Sequence, residues 1–232
     1  MINPLPKKTS VTLFFTAIIF IAASFLIMIL GYLFYQSQKK YINNAAQQQL
    51  TAIAELKVWE INNWRSERIG DANVIYKNNV FASNVLQYFN NPLSLEAKNN
   101  ILSLLSATQK SYQYKNILLL DKDKKVRLAM NEYDSDFGML HSEIIHETMN
   151  KHNIVFSDFH ISGNTNSIFL SIAIPVVLLH KENTIPLGTV IIILDPNIRL
   201  YPAIKLWPVP SETGETLLVH RDGNDVVYLN EL

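Results

Sequence analysis

Ile117-Leu118-Leu119-Leu120 runs into Asp121-Lys122-Asp123-Lys124-Lys125 and leaves through Val126-Arg127-Leu128-Ala129-Met130. A short apolar run, a charged turn and a second apolar run read as strand, turn and strand, so this stretch predicts a β-hairpin. Downstream, Phe137 to Lys151 has helical spacing. Short strands are expected at Val155 to Phe159 and, after the turn residues Gly163 and Asn164, at Ser167 to Val177. Gly188 to Leu194 adds another strand rich in β-branched residues. Upstream, helical patterns cover Ala72 to Tyr88 and Ser94 to about Tyr112, separated by the breaker Asn90-Asn91-Pro92. Two helices feeding a roughly five-stranded antiparallel sheet predict an α+β domain over residues 72–196.

The N-terminal third has a different grain. Val11 to Tyr35 carries no charged residue, and at about 1.5 Å per helical residue it exceeds the ~30 Å hydrocarbon core of a bilayer. Residues 11–35 are expected to form a transmembrane helix, with residues 1–10 before it. The run is too long for the apolar region of a cleaved signal peptide, and it lacks a small-residue cleavage site. Tyr32, Phe34 and Tyr35 suit an interfacial aromatic belt. Lys7 and Lys8 on one flank are matched by Lys39 and Lys40 on the other, so charge alone leaves the orientation tied. From Gln36 to about Ile69 there is neither proline nor glycine. Ile42, Ala46, Leu50 and Ile53 recur at helical spacing, followed by Leu56, Ile61 and Trp64. Residues 36–71 therefore read as a long stalk helix, ended by Gly70 and Asp71. Its apolar stripe can serve as a homodimer seam or as the surface on which a domain packs.

Asp195-Pro196 closes the sheet, and residues 197–215 read as a linker with a short helix over Asn197 to Lys205. Thr216 to Val219, the turn Arg221-Asp222-Gly223-Asn224-Asp225 and Val226 to Leu229 predict a second hairpin within residues 216–232. Two strands alone are marginal in water, so this hairpin is expected to dock on the first domain or to begin a second module.

Composition narrows the chemistry. Lys+Arg and Asp+Glu balance at 20 each across 232 residues, so no charge excess points to nucleic acid. The absence of cysteine excludes disulfides and thiolate chemistry. The histidines are His141, His146, His152, His160, His180 and His220. His141 and His146 lie five apart, which on a helix turns them away from one another, unlike the four-residue spacing of a zinc helix. Asp134 with Asp136, and Asp222 with Asp225, sit in turns, where Asp serves local hydrogen bonds. No phosphate loop, nucleophile elbow or kinase signature occurs. No catalytic residue, metal site or cofactor is expected.

A small-molecule site is expected from strand alternation. In Ser167 to Val177 one face carries Ile168, Leu170, Ile172 and Ile174, while the other carries Phe169, Ser171 and Ala173. If the first face packs on the long helix, the second, with its small residues, leaves room for a ligand. The candidate ligand-binding residues are Tyr112, Tyr114, Arg127, Tyr133, Asp158, His160 and Ser171, few polar groups in an otherwise apolar cavity.

Several stretches resemble a known family. They are Ala54-Glu55-Leu56-Lys57, Ile61-Asn62-Asn63-Trp64-Arg65-Ser66-Glu67-Arg68, Asp71-Ala72, Val155-Phe156-Ser157-Asp158 and Leu194-Asp195-Pro196. The most specific are Trp207-Pro208-Val209-Pro210-Ser211, Glu215-Thr216-Leu217-Leu218-Val219, Arg221-Asp222-Gly223 and Leu229-Asn230-Glu231-Leu232. Together these resemble the double-Cache extracytoplasmic sensor domains of bacterial transmembrane receptors, especially those of sensor histidine kinases. The resemblance implies a membrane-distal module like a PAS domain, a smaller membrane-proximal module, a cytoplasmic N-terminus and a sensor outside the cell membrane. It also implies a small-molecule ligand, with a histidine kinase, a diguanylate cyclase or a chemoreceptor as output. On that plan residues 216–232 are the beginning of the proximal module. The chain is then part of a longer receptor, or an anchored binding or interaction protein that works with partner chains.

Overall fold

The computed structural model describes residues 7–133, 142–161, 167–180, 183–211 and 213–230. Helix α1 spans Lys7–Tyr76. Residues up to Leu56 belong to one compact unit and Lys57 onward to another. In the first unit α1 contains one stretch long and apolar enough to cross a membrane, and none of that stretch is buried by the protein. Phe14, Phe20, Ile27, Leu30 and Phe34 are all exposed, which suits a lipid environment and distinguishes the helix from a buried core helix.

The second unit is α+β. After α1 come α2 (Asn79–Asn90), α3 (Leu95–Tyr112), β1 (Asn116–Asp121), β2 (Val126–Ala129), α4 (Ser142–Lys151), β3 (Val155–Phe156) and β4 (His160–Ile161). Then follow β5 (Ile168–His180), β6 (Asn183–Leu194), α5 (Leu200–Lys205), β7 (Val219–Asp222) and β8 (Asp225–Tyr228). The main sheet has six antiparallel strands in the order β2-β1-β6-β5-β3, with β4 pairing on β5. The expected α+β class and antiparallel sheet are borne out.

Several boundaries differ from the sequence reading, β6 beginning at Asn183 rather than Gly188 and α5 at Leu200 rather than Asn197. Gly70 does not end the long helix, because Ala72 and Ile75 beyond it are buried in the core, and that burial outweighs the ~1 kcal/mol a helical glycine costs. The break falls instead at Lys77-Asn78, where the Asn78 side chain accepts from Phe81 N at 2.9 Å and caps α2. The second hairpin is tighter than expected. Asp222 pairs with Asp225, and Gly223, at φ 59°, lets a two-residue loop replace the five-residue turn. Asp134, Asp136, His141, the start of the helix expected from Phe137, and the turn at Gly163 and Asn164 lie outside the described residues.

The two sheet faces bear different loads. Ile117, Leu119, Leu170, Ile172, Ile174, Val190 and Ile192 point towards α1, α2 and α3 and join Ala72, Ile75, Val85, Ile101 and Leu105 in the larger core. Leu118, Leu120, Ala173 and Ile191 face the other way and meet Ile145 of α4. Between the β1–β2 strands, Asp121 Oδ1 accepts from Asp123 N and Lys125 N, each at 3.0 Å, so one side chain shapes the charged turn.

Candidate functional site

The second sheet face holds two buried polar side chains, Asn116 and Ser171, on either side of Ile193 and beside the patch that α4 covers. Asn116 of β1 pairs with Ile193 of β6, and Ile193 pairs with Ser171 of β5. The three therefore lie side by side across the sheet. Ser171 is fully buried and Asn116 is 3% exposed, although each carries a polar side chain. Asn116 is held rigidly, with Oδ1 accepting from Ile117 N and Asn131 N at 2.9 Å and Nδ2 donating to Asn131 O at 3.1 Å. It thereby ties the exit of β2 to the start of β1.

At the other end of the row stand β4 and the first residues of β5. His160 lies opposite Phe169, and their rings are 6.4 Å apart. Lys115 Nζ sits 3.9 Å above the Phe169 ring, within cation–π range. His160 Nδ1 is 3.3 Å from Asp158 O. A carbonyl only accepts, so this contact puts the proton on Nδ1 and leaves Nε2 as an acceptor, 3.5 Å from Ser171 Oγ. Burial pushes the His160 pKa below its ordinary value, opposed by the Asp158 carbonyl and carboxylate. A mainly neutral imidazole, a serine, an amide and a lysine–phenylalanine pair can orient a small polar molecule. Among the described residues no three His, Asp or Glu side chains gather to hold a metal.

The seven residues named from the sequence do not form one cluster. His160 and Ser171 come together on this face. Asp158 is next to them in sequence, but its exposed carboxylate points to the second hairpin, with Oδ2 3.7 Å from His220 Nδ1. Tyr133 follows β2 and is 46% exposed. Tyr112, Tyr114 and Arg127 lie on the helical side of the sheet. Tyr114 donates to Asp71 Oδ2 at 2.8 Å, and the Arg68 guanidinium lies over Tyr112 and Tyr114 at 5.2 and 5.9 Å while its Nε is 3.2 Å from Asp71 Oδ2. Desolvation, and then the bond to Asp71, raise the Tyr114 pKa far above that of a free phenol. The bond to Asp71 raises that of Tyr112.

Arg127 is turned by a bulge. Leu119 pairs with Leu128 but Leu120 pairs with Val126, so Arg127 has no opposite residue. Its guanidinium lies 5.3 Å over Phe89 of α2 and 3.2 Å from Asp121 Oδ2. Sequence reading missed Arg68, Asp71, Lys115 and Asn116. Asn116 carried a usable signal, since it shares the parity of Leu118 and Leu120 yet is polar. Lys115 carried none.

No protein-family model matches the sequence, and no curated protein matches it. Solved structures do. The sensory domain of the Campylobacter jejuni chemoreceptor Tlp3 has a TM-score of 0.60 at 13% identity, covering 83% of this chain and 75% of that one. The same receptor domain with isoleucine bound gives 0.52 at 13% identity, covering 69% and 63%. The sensor domain of the V. cholerae histidine kinase DctB gives 0.51 at 11% identity, covering 66% and 57%. This chain thus spans less than two thirds of the isoleucine-bound and histidine kinase domains. At such identities the likeness establishes the fold, which is that of Cache-like sensor domains from bacterial chemoreceptors and histidine kinases.

Proposed function

We propose that this chain, built on a receptor sensor fold and carrying one membrane-spanning segment, is the extracytoplasmic small-molecule sensing part of a bacterial membrane receptor. The observation that carries the reading is the pair of buried polar side chains Asn116 and Ser171, set on either side of Ile193, with His160 beside Ser171. Asn116 is satisfied by backbone groups and His160 and Ser171 reach one another, so this face carries polar side chains already set in place for a small polar ligand. The ligand site is this face, with His160 and Ser171 as contacts and Lys115, Asn116 and Tyr133 around them. Tyr112, Tyr114 and Arg127 are assigned to holding the helices on the sheet. Isoleucine bound to the similar chemoreceptor domain supports a ligand of amino-acid size.

The N-terminus is placed in the cytoplasm and the second unit outside. The apolar stripe of α1 is assigned to a homodimer, and the parent receptor to the sensor histidine kinases. The exposed Val219, Val226 and Tyr228 support reading β7 and β8 as the first strands of a second module. Ligand biases the receptor only through its different affinities for two conformations.

The test is a thermal-shift screen of the full chain in lipid nanodiscs against amino acids and other small metabolites. A ligand at a hundred times its Kd stabilises by about 2.7 kcal/mol, and Ser171→Leu and His160→Ala are expected to abolish the shift. A shift that survives both variants would remove the ligand from this face.

A further inference from the structure

A concavity lies on the opposite side of the sheet, where α1, the β3–β4 segment, α5 and the approach to β7 meet. It is a groove of about 400 Å³, within the size range of small-molecule sites. Its floor and walls are apolar: Ile61 and Trp64 from α1, Phe156 and Phe159, Leu170 of β5, Leu200 of α5 and Leu218. Trp64 and Phe156 meet edge to face at 5.9 Å, which gives one wall a rigid aromatic corner.

Three polar residues line this groove, and two are already engaged. Ser157 Oγ donates to Asp158 O at 2.8 Å and accepts from Ser171 N at 2.7 Å. Asp158 Oδ1 accepts from Phe159 N at 2.7 Å, and its Oδ2 faces His220. The third, Arg65, is different. Its guanidinium is laid over the Phe156 ring at 5.3 Å, and among the described residues no carboxylate lies within ion-pair distance of it. The cation–π contact holds the guanidinium beside the aromatic corner while Arg65 stays exposed to solvent.

We propose that this groove binds an amphipathic monoanion, a carboxylate with an aromatic or short aliphatic body. The acid would sit on Arg65 and the body between Trp64, Phe156 and Leu218. Arg65 at the lip supplies a cation for the acid and the apolar walls suit the body, while the Asp158 carboxylate, also at the groove, is turned to Phe159 N and His220. An occupant would touch α1, the β3–β4 segment and the approach to the second hairpin at once, and so could modulate the sensor from a place that the sheet-face ligand does not reach.

The probe is 4-phenylbutyrate, compared with its neutral amide, 4-phenylbutanamide. Binding to the full chain in nanodiscs is followed by calorimetry, with protein-free nanodiscs as the blank. Saturable binding of the acid is expected, at least about tenfold tighter than that of the amide, the weight of one charge-assisted contact. Arg65→Gln should bring the acid down to the level of the amide, leave the amide unchanged, and leave the melting temperature within a degree or so, since Arg65 is exposed. Ser171→Leu and His160→Ala should not alter acid binding, so failure of the sheet-face reading and failure of this one are separable. Equal affinities for acid and amide, full acid binding by Arg65→Gln, or no saturable binding would each overturn the proposal.

Discussion

Replacing Tyr114 by Phe keeps the ring under Arg68 and removes one atom, the hydroxyl that donates to Asp71 Oδ2 at 2.8 Å. The bond has a charged acceptor and is largely shielded, Tyr114 being 5% exposed and the Asp71 side chain 13%. Hydrogen bonds to charged groups contribute about 1.5–3 kcal/mol. Asp71 keeps its contact with Arg68, so the lower half of that range, about 1.5–2 kcal/mol, is expected. For a unit of this size that lowers the melting temperature by about 3–8 °C.

The assay is thermal unfolding of the full chain followed by circular dichroism. Asp71→Ala and the double variant complete a cycle. If the bond is made as described, Tyr114→Phe should cost at least about 1 kcal/mol less in the Asp71→Ala background than in the native one. Equal costs in the two backgrounds would refute the reasoning, because the hydroxyl would then owe nothing to Asp71.

Three further outcomes are expected. Lys57 is buried, with Nζ donating to Glu60 Oε2 at 2.8 Å and to Ala203 O at 3.0 Å; Lys57→Met keeps the stem, frees that α5 carbonyl and should cost about 2 kcal/mol by chemical denaturation. A Cβ on Gly188 would run into the backbone carbonyl of Leu120, so Gly188→Ala should cost about 3 kcal/mol in the same assay. Because burial holds the folded-state pKa of His160 below its unfolded value of about 6.5, the unfolded chain binds more protons between those two values. Stability is therefore full above about pH 6.5 and falls as the pH drops towards the folded pKa. His160→Gln should flatten that part of a melting-temperature profile, and an unchanged slope would count against a buried neutral imidazole.

Much of the fold was legible because local chemistry and tertiary packing agree. The Asp121-to-Lys125 turn fits its strands whatever surrounds them, and the alternation around Ser171 places Ile172 and Ile174 in the helical core. Where packing overrode local signals, the reading slipped. Gly70 looked like a stop because the clamp of Arg68, Asp71 and Tyr114 joins residues more than forty positions apart. Pro186 hid the first half of β6, although it is accommodated opposite Val177 beside a bulge. Arg127 was assigned to the wrong side because a single bulge inverts parity, and no pattern along β2 announces it. The site was half visible for the same reason. Ser171 follows from the alternation of β5 and His160 from its place beside that strand, whereas Lys115 joins through a contact with the Phe169 ring.

The unequal cores have a consequence for how such a protein changes over generations. The helical side locks α1, α2 and α3 onto the sheet, so a substitution there must be matched by its neighbours or the fold is lost. Among the described residues the other side asks only that α4 keep its small contact around Ile145. Asn116 is the exception on that side, since its amide joins the exit of β2 to β1 and an exchange there would leave buried backbone groups unpaired. Such an arrangement concentrates the constraint on one side of the sheet, in keeping with one fold shared at 11–13% identity.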